Sequence, residues 1–329
     1  MKLLTYRSAQ GPRLGAQVGA SHVLDLQQAA QRASADAAPF ASMLALIQAG
    51  GPALQRAREL VRSAVHDQLL ALDGLPLEAP LPVPEQIRDF ANYELHVKQA
   101  LASSLKVRAS AEADPVAAAE RLRASGMFAI PPVWYERPLY YKCNRFSVVG
   151  PDADVLWPSY SQRLDYEMEL AVVIGRKVRD VPVAEAMDAV FGYTLYNDFT
   201  ARDTQVQEGG FRMGPAKGKD FDTGNAMGPC IVTRDELPDP YKLRMRVTVN
   251  GQVRAETLSG GMQHDIAHTI SFLSQSETLY PGEVLAMGTV GNGCGYESLS
   301  FLADGDVVEI EAEGIGRLRN RLVRPRRTA

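Results

Sequence analysis

The sequence has few cysteines, and none of them are paired at the spacing of a metal or redox motif. Cys143, Cys230 and Cys294 are odd in number and include no CxxC, which suits a reducing compartment and gives no zinc signature. No apolar stretch approaches the roughly 18 residues of a membrane span. No leader-like apolar segment follows Met1. We therefore expect a cytoplasmic protein with no membrane association.

The sequence also lacks the glycine-rich motifs of nucleotide-binding folds and any general excess of positive charge. Neither GxGxxG nor GxxxxGK[ST] occurs, so neither nucleotide fold is indicated. The net charge is −4, and the basic cluster runs from Arg319 to Arg327 at the C-terminal end. A solvated terminus explains this cluster better than phosphate contacts do. We expect no nucleic-acid partner.

The composition is that of an ordinary globular protein, with 46% apolar and 22% charged residues in 329. A proline-rich passage from Leu75 to Pro84 marks a predicted boundary between a small N-terminal α/β domain, residues 1–80, and a larger domain, residues 81–329. The smaller domain is predicted to contain strands at Leu3–Tyr6, Ala16–Val18 and His22–Leu24 and helices at Leu26–Ala37 and Pro52–Ala71.

The larger domain changes character along its length. Helical sequence runs from about Tyr93 to Val107, and a second helix has Asp114 as N-cap, Pro115 at N1 and Gly126 past its end. Short strands follow, interrupted by an amphipathic helix with Ile266, Ile270 and Leu273 on one stripe. These strands are predicted at Tyr166–Ile174, Phe191–Asp198, Arg244–Val249, Val284–Met287 and Val307–Glu311. The pattern predicts an α+β fold, predominantly β, with a rolled or barrel-like sheet.

The strand from Leu164 to Gly175 carries the most informative chemistry. At period two, Asp165, Glu167 and Glu169 share one face, and neighbours on a face lie roughly 7 Å apart. Like charges so placed beside an apolar core require a cation or a proton. An oxygen-rich site would suit Mg²⁺, Mn²⁺ or Ca²⁺ better than zinc. An exposed acidic face paired with basic residues of a neighbouring strand is the alternative.

A further carboxylate, Asp198, stands at the end of the next predicted strand. It is a natural third oxygen ligand for a cation bound near Glu167 and Glu169. The alternative is that Asn197 and Asp198 simply cap the following turn.

These segments together resemble the fumarylacetoacetate hydrolase family. ExE at Glu167 and Glu169 is followed by NDxxxRD at 197–203, KxFDT at 219–223, PGE at 281–283 and GT at 288–289. The ExE motif alone is weak evidence for the family, but all five motifs in this order are specific evidence for it. The resemblance covers residues from about 85 to the C-terminus and is strongest over 140–320.

The resemblance implies a homodimer whose mixed β-roll catalytic domain binds one Mg²⁺, or Mn²⁺ or Ca²⁺, per subunit. Glu167, Glu169 and Asp198 match metal ligands. Asp89 and His96, seven residues apart, match a fourth ligand and the general base. Arg202, Gln205 and Lys219 match positions that hold substrate oxygens and support developing negative charge, and Tyr141 and Thr289 match substrate contacts.

The implied activity is metal-dependent hydrolysis of a carbon–carbon bond in an acylpyruvate or related 2,4-diketo acid, as in the catabolism of aromatic compounds. His96 would activate the water, and the metal would hold the enolate. Gln99 stands where shorter relatives have a glutamate, so the carboxylate that orients His96 is predicted to be Glu297, with Glu94 as the alternative. Ala91 and Gly209 replace expected aromatic residues, which argues against fumarylacetoacetate itself.

Two other interpretations use the same residues. A hydratase, isomerase or decarboxylase of a 2-oxo acid would need the same metal site, because each reaction passes through an enolate. A non-catalytic protein in which the ion only ties strands together would leave His96, Arg202 and Lys219 dispensable.

Overall fold

The computed structural model describes residues 1–210 and 214–325, so the end of the basic tail at 326–329 lies outside the described residues. The strands, in chain order, are β1 Lys2–Ser8, β2 Gly11–Val18, β3 His22–Asp25, β4 Leu69–Ala71, β5 Leu77–Glu78, β6 Ile87–Phe90, β7 Tyr140–Lys142, β8 Val148–Val149, β9 Asp154–Leu156, β10 Leu164–Asp165, β11 Glu167–Ile174, β12 Val190–Asp198, β13 Thr200–Ala201, β14 Asn225–Thr233, β15 Arg244–Val249, β16 Gln252–Leu258, β17 Val284–Cys294, β18 Val307–Ala312 and β19 Gly316–Val323.

The helices lie mostly in the first half of the chain. They are α1 Leu26–Arg32, α2 Met43–Ser63, α3 Glu94–Ala109, α4 Pro115–Ala124, α5 Val133–Glu136, α6 Val183–Ala186, α7 Arg202–Gly209 and α8 Ile266–Ser274. Asp114 caps α4 through two backbone N–H groups, and Pro115 is its first residue, as the sequence predicts. None of these helices is long and apolar enough to cross a membrane.

A large mixed sheet forms the centre of the molecule. Its strands follow the order β4-β3-β2-β1-β14-β12-β11-β17-β6-β7, with β5 and β8 paired at its side, and β16-β15-β18-β19-β9 form a second sheet. β10 and β13 pair separately. Across the described residues each sheet is open and none closes into a barrel. The α+β class with a mixed sheet is confirmed.

Strand β11 is buried along its whole length between β12 and β17. Met168, Leu170 and Val172 pack into one apolar core, and the intervening Ala171 and Val173 pack into the other. This alternation places both faces of the strand in contact with apolar side chains. The exposed acidic face that the sequence left open is therefore excluded, because Glu167 and Glu169 lie inside the protein.

The N-terminal strands extend the same sheet, since β1 pairs with β14. The predicted domain boundary at residue 80 stays a prediction. Two predicted helices differ from the structure. α1 stops at Arg32, and α2 starts at Met43 and bends at Gly50, which has a positive φ of 74°. The bend lets Pro52 begin a new helical segment without losing a hydrogen bond in mid-helix. Residues 69–71, predicted as the end of that helix, form β4.

Candidate active site

Five neighbouring strands bring distant parts of the sequence to one place. β12 ends in Asp198, β11 carries Glu167 and Glu169, and β17 carries Thr289 opposite Glu169. On the other side of β17, β6 contributes Asp89, whose register partner on β7 is Tyr141. Because hydrogen-bonded strands lie about 4.8 Å apart, residues separated by up to 200 positions in the chain become neighbours.

We call Asp89, Glu167, Glu169 and Asp198 the carboxylate cluster. Oxygen atoms of Asp89, Glu167 and Glu169 lie within 4.8 Å of one another. Asp198 joins them through the Tyr141 hydroxyl, which donates to Asp198 and lies 3.2 Å from Asp89 Oδ2. All four predicted metal ligands are therefore together, and all four are buried.

Burial and mutual repulsion disturb the ionisation of this cluster. Burial, with the nearby charges of Glu169 and Asp198, raises the pKa of Asp89 well above its ordinary value. Burial and the charge of Glu167 likewise raise the pKa of Glu169, and burial raises that of Asp198 despite Lys219. Burial also opposes the ionisation of Glu167, but Arg202 and Lys219 outweigh it and hold its pKa below the ordinary value.

The cluster has too few hydrogen-bond donors for its oxygens. Asp198 Oδ1 is buried and has no hydrogen-bond partner among the residues that the structure describes, whereas Glu169 receives bonds from the Gly288 N–H at 3.1 Å and the Thr289 hydroxyl at 3.2 Å. A buried carboxylate oxygen without a donor is costly. Converging carboxylate oxygens with an unsatisfied lone pair are the donor set of a hard divalent cation, so these residues fit one.

Two buried cationic side chains flank the cluster. Lys219 Nζ lies 2.7 Å from Glu167 Oε2 and also donates to Asp198. The Arg202 guanidinium lies 2.6 Å from Glu167 Oε1 and 2.8 Å from Asp165, and its third nitrogen donates to Gln205 Oε1 at 3.0 Å. Glu167 therefore has a cation on each carboxylate oxygen, which explains why it alone in the cluster has a lowered pKa.

His96 lies in the first turn of α3, directly after β6, and its Nδ1 is 2.9 Å from Glu297 Oε1. Glu297 lies in the turn that follows β17, where the N–H groups of Asn292 and Cys294 donate to its carboxylate at 3.1 and 3.2 Å. The other candidate, Glu94, instead pairs with Lys98 at 2.9 Å and accepts from Tyr135 at 2.7 Å. The structure thus brings Glu297, and not Glu94, to the imidazole.

A cavity of about 300 Å³ connects these groups. Most of the predicted site residues contribute to its wall, together with apolar side chains such as Leu139 and Pro215. The predicted residues that line it are Asp89, His96, Tyr141, Glu167, Glu169, Gln205, Lys219 and Thr289. Three predicted residues stand behind this wall: among the described residues that line the cavity, Arg202, Asp198 and Glu297 do not appear. Each contacts a residue that does line it: Arg202 contacts Gln205, Asp198 contacts Lys219, and Glu297 contacts His96. A volume of this order suits a small organic acid.

Two residues of the site were not identified from the sequence. Asp165 was noted only as part of the acidic face, but it accepts from the Gly295 and Tyr296 N–H groups at 2.9 and 2.8 Å and from Arg202. Cys294 had no motif, yet its Sγ is 3.9 Å from His96 Nδ1. Its register pairing with Glu167 across β11 and β17 is tertiary information that no local pattern encodes.

Comparison with known proteins agrees with this arrangement. The family described as fumarylacetoacetate (FAA) hydrolase C-terminal matches residues 87–323. Over nearly the full chain, the sequence is 30% identical to a Xenopus laevis protein named oxaloacetate tautomerase fahd2, mitochondrial, covering 98% of this chain and 90% of that protein. A human protein named oxaloacetate tautomerase FAHD2A, mitochondrial, is 37% identical over 189 residues, which are 57% of this chain and 60% of that protein.

A solved structure shows the same fold. The fumarylacetoacetate hydrolase of psychrophilic Exiguobacterium antarcticum superimposes with a TM-score of 0.74 at 26% identity, covering 99% of this chain and 100% of that one. The family match spans the strands that hold the carboxylate cluster, the helix of His96 and the turn of Glu297. This chain therefore belongs to the fumarylacetoacetate hydrolase family of enzymes.

Proposed function

We propose that this protein is a divalent-metal-dependent hydrolase that cleaves a carbon–carbon bond in an acylpyruvate or related 2,4-diketo acid. The observation that supports this most directly is that His96, held by Glu297, shares one small cavity with Asp89, Glu167 and Glu169. A general base beside a cation-binding cluster is what water attack on a carbonyl requires.

Glu167, Glu169 and Asp198 would hold the cation, with Asp89 as a fourth ligand. The cation would be Mg²⁺, or Mn²⁺ or Ca²⁺, because every candidate ligand is a carboxylate oxygen and such ligands suit all three ions. The cation would offset the repulsion within the cluster, and when bound it supplies a positive charge that polarises the oxygens of a 2-oxo acid. By the family resemblance, the proposed working unit is a homodimer.

The His96–Glu297 pair determines which imidazole nitrogen can act as a base. His96 Nδ1 lies 2.9 Å from Glu297 Oε1. Because a carboxylate accepts and does not donate, Nδ1 would carry the hydrogen, and the lone pair of the neutral ring would be on Nε2. Nε2 would take a proton from water as the oxygen adds to the 4-oxo carbon, and the C3–C4 bond then breaks toward the enolate of the 2-oxo acid. The same imidazolium would return the proton to C3, releasing a carboxylic acid and a 2-oxo acid.

The remaining residues position substrate and charge. Lys219 is placed to donate to a developing oxyanion from within the cavity, a contribution often worth about 3 kcal/mol. Gln205, Tyr141 and Thr289 line the same wall and offer hydrogen bonds to substrate oxygens. Arg202 is a predicted oxyanion donor. In this geometry it fixes Gln205 and Glu167, so its influence would pass through them.

The test follows the loss of diketo-acid ultraviolet absorbance for a panel of acylpyruvates, using chelated enzyme with and without added Mg²⁺ or Mn²⁺. We expect metal-dependent loss with pyruvate appearing, and incorporation of ¹⁸O from labelled water into the released acid. His96→Ala should abolish turnover and still bind the metal. His264→Ala is the matched control, because that ring contacts the Trp134 carbonyl at 3.1 Å and does not line the cavity.

A second candidate, keto–enol tautomerisation of oxaloacetate, is favoured by the names of two relatives, one of them aligned over 98% of this chain. It uses the same cation and a proton-transferring group but adds no water. Enol absorbance lost faster than the buffer rate, with oxaloacetate conserved and no ¹⁸O in any carboxylate, would establish it. The same result together with no cleavage of any acylpyruvate would contradict hydrolysis. Release of pyruvate and CO₂ from oxaloacetate would instead indicate decarboxylation.

A further inference from the structure

A second metal-binding constellation lies beside the carboxylate cluster and has different donor chemistry. Nδ1 of His96, Sγ of Cys294 and a carboxylate oxygen of Glu297 all lie within 4.8 Å of one another. Nδ1 is 2.9 Å from Glu297 Oε1 and 3.9 Å from Cys294 Sγ. Nitrogen, thiolate and carboxylate ligands select zinc and similar borderline ions, whereas the all-oxygen cluster selects hard cations.

The separations suit tetrahedral coordination. With zinc bonds of roughly 2.0–2.3 Å, ligand atoms at two corners of a tetrahedron lie roughly 3.3–3.6 Å apart. The observed 2.9 and 3.9 Å from Nδ1 bracket this range, and the Cys294 and Glu297 ligand atoms lie within 4.8 Å of each other, so side-chain adjustments without a change of backbone would bring the three ligands to three corners. A cavity of about 300 Å³ lined by Cys294 and Glu297 gives access from solvent and room for a water as the fourth ligand.

Charge also favours a divalent ion here. One thiolate and one carboxylate balance its two positive charges, and the imidazole is neutral. Cys294 is buried as a free thiol, and a bound zinc ion would deprotonate it directly. The Glu297 carboxylate is already oriented by two backbone N–H groups, which serves as the outer support that metal ligands usually have.

We infer that His96, Cys294 and Glu297 form an inhibitory zinc site that switches off the general base. With zinc on Nδ1, the hydrogen of the neutral ring is on Nε2, and that nitrogen can no longer accept a proton. Zinc would also take Glu297 away from the imidazole. The regulatory part of this inference rests on the proposed role of His96, and the binding site itself does not.

The first experiment tests binding without reference to activity. The enzyme is loaded with excess Mg²⁺ to fill the carboxylate cluster and then titrated with Co²⁺ as a spectroscopic substitute for zinc. We expect one equivalent to produce a thiolate-to-cobalt charge-transfer band that Zn²⁺ removes. The band should vanish in Cys294→Ser and weaken in His96→Ala. Zinc affinity measured by competition should fall at least about tenfold in Cys294→Ser.

The other two cysteines supply matched controls. Cys143 lies near Asp89 and Asp198, so a band lost in Cys143→Ser would place the ion in the carboxylate cluster and overturn the proposal. Cys230 contacts the Ile315 carbonyl, outside both cavities, and Cys230→Ser should retain the band. Absence of any band, or its persistence in Cys294→Ser, would also overturn the site.

The second experiment tests inhibition. With Mg²⁺ in excess, Zn²⁺ should lower kcat of the wild-type enzyme and have at least tenfold less effect on Cys294→Ser, which keeps both His96 and Glu297. Equal inhibition of the two proteins would overturn the switch. A cobalt band in an enzyme that turns over no 2-oxo acid would retain the zinc site and reject the proposed function, so the two failures are distinguishable.

Discussion

The buried carboxylate of Asp25 and the four buried acids of the carboxylate cluster have opposite environments. Asp25, at the N-terminus of α1, accepts from the Tyr6 hydroxyl at 2.6 Å, from two Arg13 nitrogens at 2.8 Å and from the Gln28 N–H at 2.8 Å. Burial opposes its ionisation, but these donors outweigh burial and lower its pKa. The acids of the carboxylate cluster are also buried, and burial and repulsion raise the pKa of three of the four.

The difference shows that burial of an acid does not by itself identify a functional site. Each carboxylate oxygen of Asp25 accepts two hydrogen bonds, so its negative charge stabilises the fold. The four acids of the cluster share Lys219, Arg202 and a few hydroxyl and N–H donors, and within the described parts of the chain Asp198 Oδ1 has no partner. A deficit of donors around converging acids indicates a place prepared for a cation.

Among the buried acids, the largest expected effect is on Glu169, which has no ion-pair partner among the described residues. Glu169→Gln should weaken metal binding and reduce turnover by about 10²–10³, because a bound cation is worth several kcal/mol in the transition state. The metal-free variant should nevertheless melt at a higher temperature than the metal-free wild type, since one repelling charge is removed. Differential scanning fluorimetry with and without Mg²⁺ measures the melting temperatures, and steady-state kinetics measures the turnover.

In saturating Mg²⁺ the order of melting temperatures should reverse, because the wild type gains more from the ion. A variant that is less stable than the wild type in both conditions would contradict the assignment of Glu169 to a donor-deficient cluster.

Glu297 should show an intermediate effect. Glu297→Gln keeps the size of the side chain but weakens the hold on His96, and we expect kcat to fall by about 10–100-fold. Affinity for Mg²⁺ should be unchanged, because Glu297 lies outside the carboxylate cluster. Steady-state kinetics across pH, with metal titrations on the same samples, measures this. Glu94→Gln is the matched control, and an equal loss of kcat there would contradict the assignment of Glu297.

Asp25 should affect stability and leave chemistry intact. Asp25→Asn removes a charged acceptor from two Arg13 bonds and should lower the free energy of unfolding by about 1–3 kcal/mol. Turnover per folded molecule should be unchanged, since no residue of this network lines the active-site cavity. Urea denaturation followed by far-ultraviolet circular dichroism gives the free energy. Loss of kcat in Asp25→Asn without loss of stability would contradict the assignment of a purely structural role to Asp25.

The smallest expected effect is the pH dependence of the difference in free energy of unfolding between wild type and Asp25→Asn. The pKa of Asp25 is lower in the folded state than its ordinary value of 3.8. Its stabilisation is therefore fully present above that ordinary value and is lost as the pH falls through the folded pKa. The stability gap between wild type and Asp25→Asn should be constant at neutral pH and shrink below about pH 4. Urea midpoints measured from pH 7 to 3 check this, and a gap that widens on acidification would refute it.

Much of the site could be predicted from the sequence because its acidic residues occupy recognisable positions in local strand patterns. Alternation on β11 put Glu167 and Glu169 on one face, and strand termination put Asp198 nearby. The spacing of Asp89 and His96 had meaning only through the resemblance to the family. Glu297 was predicted as the partner of His96 with Glu94 as the alternative. The sequence could not exclude Glu94, because the distance from Glu297 to His96 depends on how the turn after β17 packs against α3.

Hydrophobic period, turn residues and motif order are local properties, and they were enough to predict the class of fold, the oxygen-rich character of the site and the family. Three contacts could be read only from the folded chain: Glu297 holds His96, Arg202 fixes Glu167 and Gln205, and Cys294 lies beside the imidazole. These contacts depend on which strands pair and in what register. Pairing is set by the packing of two cores over the whole chain, and no short stretch of sequence contains that information.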